Sequence, residues 1–138
     1  MKEMQYQADY KREILDTGYC YGLVYYILNL GMHPTAYIQI PSNHRLYGKD
    51  YDEIYNEVGI DVHGGITYTK DYLYISDNQK IDGWFIGWDY AHYGDYAGYE
   101  EKFPENLRTN GKKWTTKEIL NEVKVACRQI VYGKKEER

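Results

Sequence analysis

The stretch GYCYGLVYYILNLG, residues 18–31, decides the fold. It is rich in tyrosine and aliphatic residues, carries glycine at both ends, and reads as a long strand. Its lack of clean alternation points to burial on both faces, and Gly22 reads as the mark of a bulge. Working outward, LGMHPT is a turn in which Pro34 pushes His33 towards extended geometry. TAYIQI, 35–40, is then a second strand ended by Pro41, and a hairpin is the economical way to join the two. Residues 1–16 are polar with sparse apolar positions, as in a short helix or an edge strand. Downstream, GIDVH and ITYTK flank Gly64–Gly65, a dipeptide favoured by two-residue hairpin turns. DYLYIS and GWFIGW are two further strands around a polar connection, SDNQKID.

Two helical segments complete the reading. Within the mostly loop-like 41–59, residues 50–57 make about two turns, with Asp50 as cap and Glu53 completing a capping box. Near the end, Thr115 is an N-cap with Glu118 three residues on. Ile119, Leu120, Val123, Ala126, Cys127 and Ile130 then recur at helical spacing up to Gly133, a C-terminal stop. The expected fold is therefore α+β: an antiparallel, strongly twisted sheet of about five or six strands with the C-terminal helix packed on one face. Residues 1–133 are expected to form a single globular domain, followed by a charged tail, 134–138.

The 138 residues carry a net charge of −4, which gives no electrostatic footprint for duplex nucleic acid. Tyrosine is over-represented, with 18 copies against two Phe and three Trp. An amphipathic ring with a hydroxyl suits half-buried strands, stacking faces and interfaces, including contacts between copies in a homo-oligomer. The N-terminal MKEMQYQADYKRE holds no apolar signal core, and no segment approaches the roughly 18 apolar residues of a membrane span. Cytoplasmic residence without membrane association is the expectation. Cys20 and Cys127 are too few for a metal knuckle or a disulfide framework, although one pair between them stays open.

The chemistry-bearing residues cluster at the far end of GWFIGWDYAHYGDYAGY, 83–99. An apolar run gives way to Asp89, His92 and Asp95 at intervals of three. That spacing keeps all three on one face of neither a helix nor a strand, so convergence requires a bent loop past a strand end, where sites are commonly built. The loop from 89 to 113 is long enough to expect a function. A carboxylate beside an imidazole is an orienter–base pair, or, with one more ligand, a divalent metal site. His63, in DVHGGIT, is a candidate third member. Gly64 and Gly65 are either a structural turn or backbone amides open to an anion. Weaker candidates are His44, in a loop with Arg45, Tyr47 and Lys49, and Arg108, whose guanidinium suits phosphate. Trp and Tyr faces, Trp88 among them, are candidates for stacking a planar ligand.

AYIQIPSNHRLYGKDYDEI, IDVHGGITY and GWDYAHYGDY occur in that order over roughly residues 35–97. Together they resemble a family of small bacteriophage-encoded proteins with an IP-x-x-H-x-LYGK-x-YD block, an HGG-[LI]-T block and a G-[FW]-D-x-A-H-x-G-D block. Trp88 stands where members often have Phe. The positions that match are His44, His63, Thr67, Asp89, His92 and Asp95. The resemblance implies an accessory protein of the infected cell's cytoplasm. Such proteins frequently neutralise host defences, including those that signal through cyclic nucleotides or ADP-ribose derivatives. Three expectations follow. The first is a phosphoester hydrolase for a nucleotide-derived ligand, with His63, Asp89, His92 and Asp95 catalytic. The second is a non-catalytic sponge that stacks the base on Tyr and Trp faces and holds the phosphate with Arg108 or a lysine; the candidate ligand-binding residues are His44, Gly64, Gly65, Thr67, Trp88 and Arg108. The third is a module that docks on a host protein.

Overall fold

A computed structural model describes residues 12–30, 33–90 and 112–133. Five strands, β1 (Glu13–Cys20), β2 (Leu23–Asn29), β3 (Pro34–Ile40), β4 (Tyr68–Ser76) and β5 (Gln79–Asp89), form one antiparallel sheet in the order β1-β2-β3-β5-β4. Two helices join them, α1 (Tyr51–Glu57) and α2 (Thr116–Tyr132). The α+β class and the C-terminal helix across one sheet face are as the sequence predicts. His92, Asp95 and Arg108 lie outside the described residues, as do the tail and most of the 89–113 loop.

The opening stretch resolves into two strands rather than one. Tyr21 and Gly22 take φ of 53° and 81°, the left-handed pair that a two-residue hairpin of right-twisted strands requires. Cys20 therefore pairs with Leu23, and Gly22 belongs to a turn, not a bulge. The bulge in this hairpin falls instead in β1, between Ile14 and Asp16. A second correction falls at Gly64–Gly65. Both residues have positive φ, but no strand precedes them, and β4 begins only at Tyr68. The hairpin lies further on, where the connection read as polar loop is mostly strand, with Asp77–Asn78 alone between β4 and β5.

Alternation along the strands sorts the side chains onto two faces. Leu23, Tyr25 and Ile27 of β2, Ala36, Ile38 and Ile40 of β3, and Ile86 and Trp88 of β5 meet Ile119, Val123, Ala126, Cys127 and Ile130 of α2. Capping boxes start both helices, Asp50 with Glu53 and Thr115 with Glu118, as the sequence predicts. The crossover from β3 to β4 adds Leu46, Ile54, Val58 and Ile60 to this core. His44 pins the crossover to α2. Leu46 N–H donates to Nδ1 at 3.0 Å, which leaves the proton on Nε2, and that nitrogen donates to the Ile130 carbonyl at 3.0 Å. Gln129 and Asp61 add a reciprocal pair of bonds further along, at 2.9 and 3.1 Å.

The opposite face carries its own core of Leu28, Tyr37, Leu73, Ile75 and Phe85. It is buried because the sheet curls. The outer strands β1 and β4 come into contact, and Arg12 Nη1 donates to the Tyr74 carbonyl at 3.0 Å across the gap. The result is a half-barrel with α2 outside and an aromatic interior. No helix among the described residues is long and apolar enough to cross a membrane.

Candidate functional site

The mouth of the half-barrel holds a cavity of about 480 Å³, in the size range of small-molecule sites. The register explains how side chains converge on it. Thr35 of β3 pairs with Asp89 of β5, and Tyr37 with Gly87, so His33, Thr35, Tyr37 and Asp89 fall on the inward face at one end of the sheet. From the other side β4 pairs Tyr68 with Gly87. Gly87 thus lies between two tyrosines in neighbouring strands, whose rings meet edge to face at 5.0 Å. A Cβ on Gly87 would come within 2.4 Å of Tyr37 Cδ1, so the absent side chain is what lets the Tyr37 ring lie across β5. Tyr72 and Tyr74 extend this aromatic wall, and Arg12 closes it from β1.

The polar groups of the mouth differ in state. Burial raises the Tyr37 and Tyr68 phenols above their ordinary pKa. The Arg12 charge acts the other way on both, and the Asp89 charge raises Tyr37 further, so Tyr37 senses a cation and a carboxylate at once. Tyr68 Oη donates to the Tyr72 carbonyl at 2.6 Å. Thr35 is 2% exposed, and its hydroxyl lies beside the Tyr37 phenol, whose rise it partly offsets; it makes no other bond among the described residues.

Of the residues singled out from sequence, Thr67, Trp88 and Asp89 border this cavity. The backbone places Thr67 there, its N–H donating to the Gly87 carbonyl at 2.9 Å. Trp88 is only 1% exposed, and its indole N–H donates to Tyr90 Oη at 2.9 Å. Its ring is therefore core, not an open stacking platform. His44 is engaged at both nitrogens in the tie to α2 and has no lone pair or proton left for a ligand.

His63 sits on the helix side of the sheet. Its ring lies parallel to Tyr90, 5.2 Å between centroids, with Trp114 tilted against both at 4.8 and 4.9 Å. Tyr90 Oη donates to Glu122 of α2, which also receives the His63 backbone N–H at 3.4 Å. The Gly65 amide donates to the Val62 carbonyl at 3.0 Å, so it closes a turn and is not open to an anion. Gly64 is exposed, and Gly65 lines a smaller hollow of about 240 Å³ beside Tyr55 of α1. His63 and the glycine pair thus stand apart from the Asp89 cavity. Among the described residues, no three His, Cys, Asp or Glu side chains are placed to hold a metal ion.

Sequence reasoning missed Arg12, His33, Thr35 and the tyrosines of the wall. For His33, Thr35 and Tyr37 a signal existed, since alternate residues at the start of β3 must share a face. No family model matches the chain, and no curated protein or solved structure matches it.

Proposed function

We propose that the chain is an accessory protein of the bacteriophage type it resembles, and that it binds a small nucleotide-derived ligand in the mouth of the half-barrel. The observation that carries this reading is the lining of the cavity: tyrosine rings on β3 and β4, with Arg12, His33 and Asp89 facing the same space. Rings accept the face of a planar group, and a few fixed polar groups orient it, which is the usual make-up of a small-molecule site. Among the described residues sequestration is the simpler reading, since His63 is stacked on Tyr90 rather than directed at the cavity, while His92 and Asp95 lie outside them. A hydrolytic reading would run instead through His33 and Asp89, an imidazole and a carboxylate on one cavity. In either case the setting would be the cytoplasm of the infected cell.

The test incubates the pure protein with a panel of cyclic and linear nucleotides and ADP-ribose derivatives, with and without divalent metal. Soluble and heat-released fractions are then chromatographed. Loss from solution followed by intact release on heating is the expected result. A new product would turn the reading to hydrolysis, and His33→Gln should then abolish it. If every compound stays free, small-ligand binding falls. A host-protein partner for exposed tyrosines such as Tyr19, Tyr55 and Tyr132 becomes the better account.

A further inference from the structure

We propose that Arg12 is the anchor for an oxyanion, a phosphate or carboxylate group, bound in the mouth of the half-barrel; this rests on the cavity being the ligand site but not on the ligand being a nucleotide. The guanidinium is a planar fork of five N–H donors. Nη1 donates to the Tyr74 carbonyl at 3.0 Å, which ties the guanidinium to β4 at the cavity wall. No carboxylate among the described residues lies within ion-pair distance of it. The charge is nevertheless felt inside the mouth, at the Tyr37 and Tyr68 phenols. A fork held by one backbone bond, with no other bond from it among the described residues, is well suited to take an oxyanion in bidentate fashion. Thr35, 2% exposed, lines the same cavity and sets its hydroxyl beside the Tyr37 phenol, a polar pair next to the fork.

Asp89 gives the site a direction. It lines the same cavity as Arg12 and carries the opposite charge. An anionic group is attracted to Arg12 and repelled by Asp89. A ligand with an anion at one end and N–H or O–H donors at the other is favoured with its anion on Arg12.

The probe is inorganic phosphate, with acetate in a parallel titration, added to the isotopically labelled full chain. Arg12 Nε–H and the Thr67 and Gly87 amides are followed by NMR. Saturable shifts at these groups are expected. Arg12→Gln should weaken binding by about tenfold or more, the usual weight of a charge-assisted hydrogen bond. Asp89→Asn should strengthen it. Opposite signs cannot arise from two variants that merely loosen the fold. Saturation by phosphate alone assigns the anion as a phosphate, and saturation by acetate alone as a carboxylate. Equal shifts in wild type and Arg12→Gln, or no saturable shift with either ion, would overturn the proposal. If phosphate saturates through Arg12 while every compound of the nucleotide panel stays free, the anchor stands and the nucleotide reading alone fails.

Discussion

Replacing Gly87 by alanine tests whether the tyrosine wall is built as described. Gly87 sits mid-sheet, in register with Tyr37 on one side and Tyr68 on the other. An added Cβ would lie 2.4 Å from Tyr37 Cδ1, 2.8 Å from Cε1 and 2.7 Å from the Ala36 carbonyl oxygen. Ordinary carbon contacts fall near 3.5–4.0 Å, so more than half an ångström must be found at each. Tyr37 is 5% exposed and braced against Tyr68, and the carbonyl belongs to the ladder itself, so neither can yield cheaply. Overpacking of this kind costs about 1–3 kcal/mol, and two immovable neighbours place Gly87→Ala near the upper end. Lost unfolded-state freedom returns at most about 1 kcal/mol, leaving a net destabilisation of roughly 2 kcal/mol. For a chain of this length that is a fall in Tm of about 8 °C. Urea melts of Gly87→Ala, Tyr37→Ala and the double variant separate the clash from general damage. Because the ring is one of the two obstacles and the Ala36 carbonyl remains, the double variant should recover part of the loss, about 1 kcal/mol, relative to the sum of the singles. A Tm within about 2 °C of wild type, or strictly additive singles, would refute the close packing of Tyr37 over β5.

His44→Ala removes both bonds of the crossover tie and strands the Leu46 N–H and the Ile130 carbonyl; a loss of about 1–3 kcal/mol in urea is expected, and no loss would show the tie to be incidental. Alkaline titration followed at 295 nm should show Tyr25 ionising late. Burial, then the hydrogen bond its hydroxyl gives Asp16, push its pKa up to about 12. Because the folded value is the higher one, the stability it contributes is complete below about pH 10 and is lost as pH rises from there through 12, with unfolding expected in that window. Simultaneous ionisation of all tyrosines near pH 10 in a still-folded protein would contradict this. Burial, with Cys20 beside it, also raises the Cys127 thiol, so in native protein at neutral pH Cys127 should alkylate only on unfolding, while half-buried Cys20 reacts first. Equal rates for the two would contradict the burial of Cys127.

Local chemistry carried far in the sequence where each element is decided by its own residues. Thr115 with Glu118 and Asp50 with Glu53 are complete capping boxes within four residues, and both start helices where expected. The reading failed where two local signals compete. Tyr21–Gly22 reads as strand because tyrosine is a strand former. Its positive φ is uncommon for a bulky residue and is imposed by the pairing of β1 with β2. The pair Gly64–Gly65 offered the opposite temptation. Two glycines with positive φ make a turn, but the residues before it are held by bonds from α2, Gln129 to Asp61 and Glu122 to His63, in place of a strand partner.

The site divides along the same line. Asp89 is legible because a charge at the end of an apolar strand is visible in one window. The direction of His63 was not legible, since it depends on a ring stack with Tyr90 and Trp114, which come from elements far apart in the chain. Arg12 is the extreme case. In its own neighbourhood it is one basic residue among others, KREI, with nothing to mark it. It enters the cavity only because the sheet curls until β1 meets β4, and the bond that fixes it, to Tyr74, joins residues 62 positions apart. Strand periodicity says which face a side chain takes but not how far a sheet bends, and it is the bend that turns a tyrosine-rich face into a closed mouth with a cation on its rim.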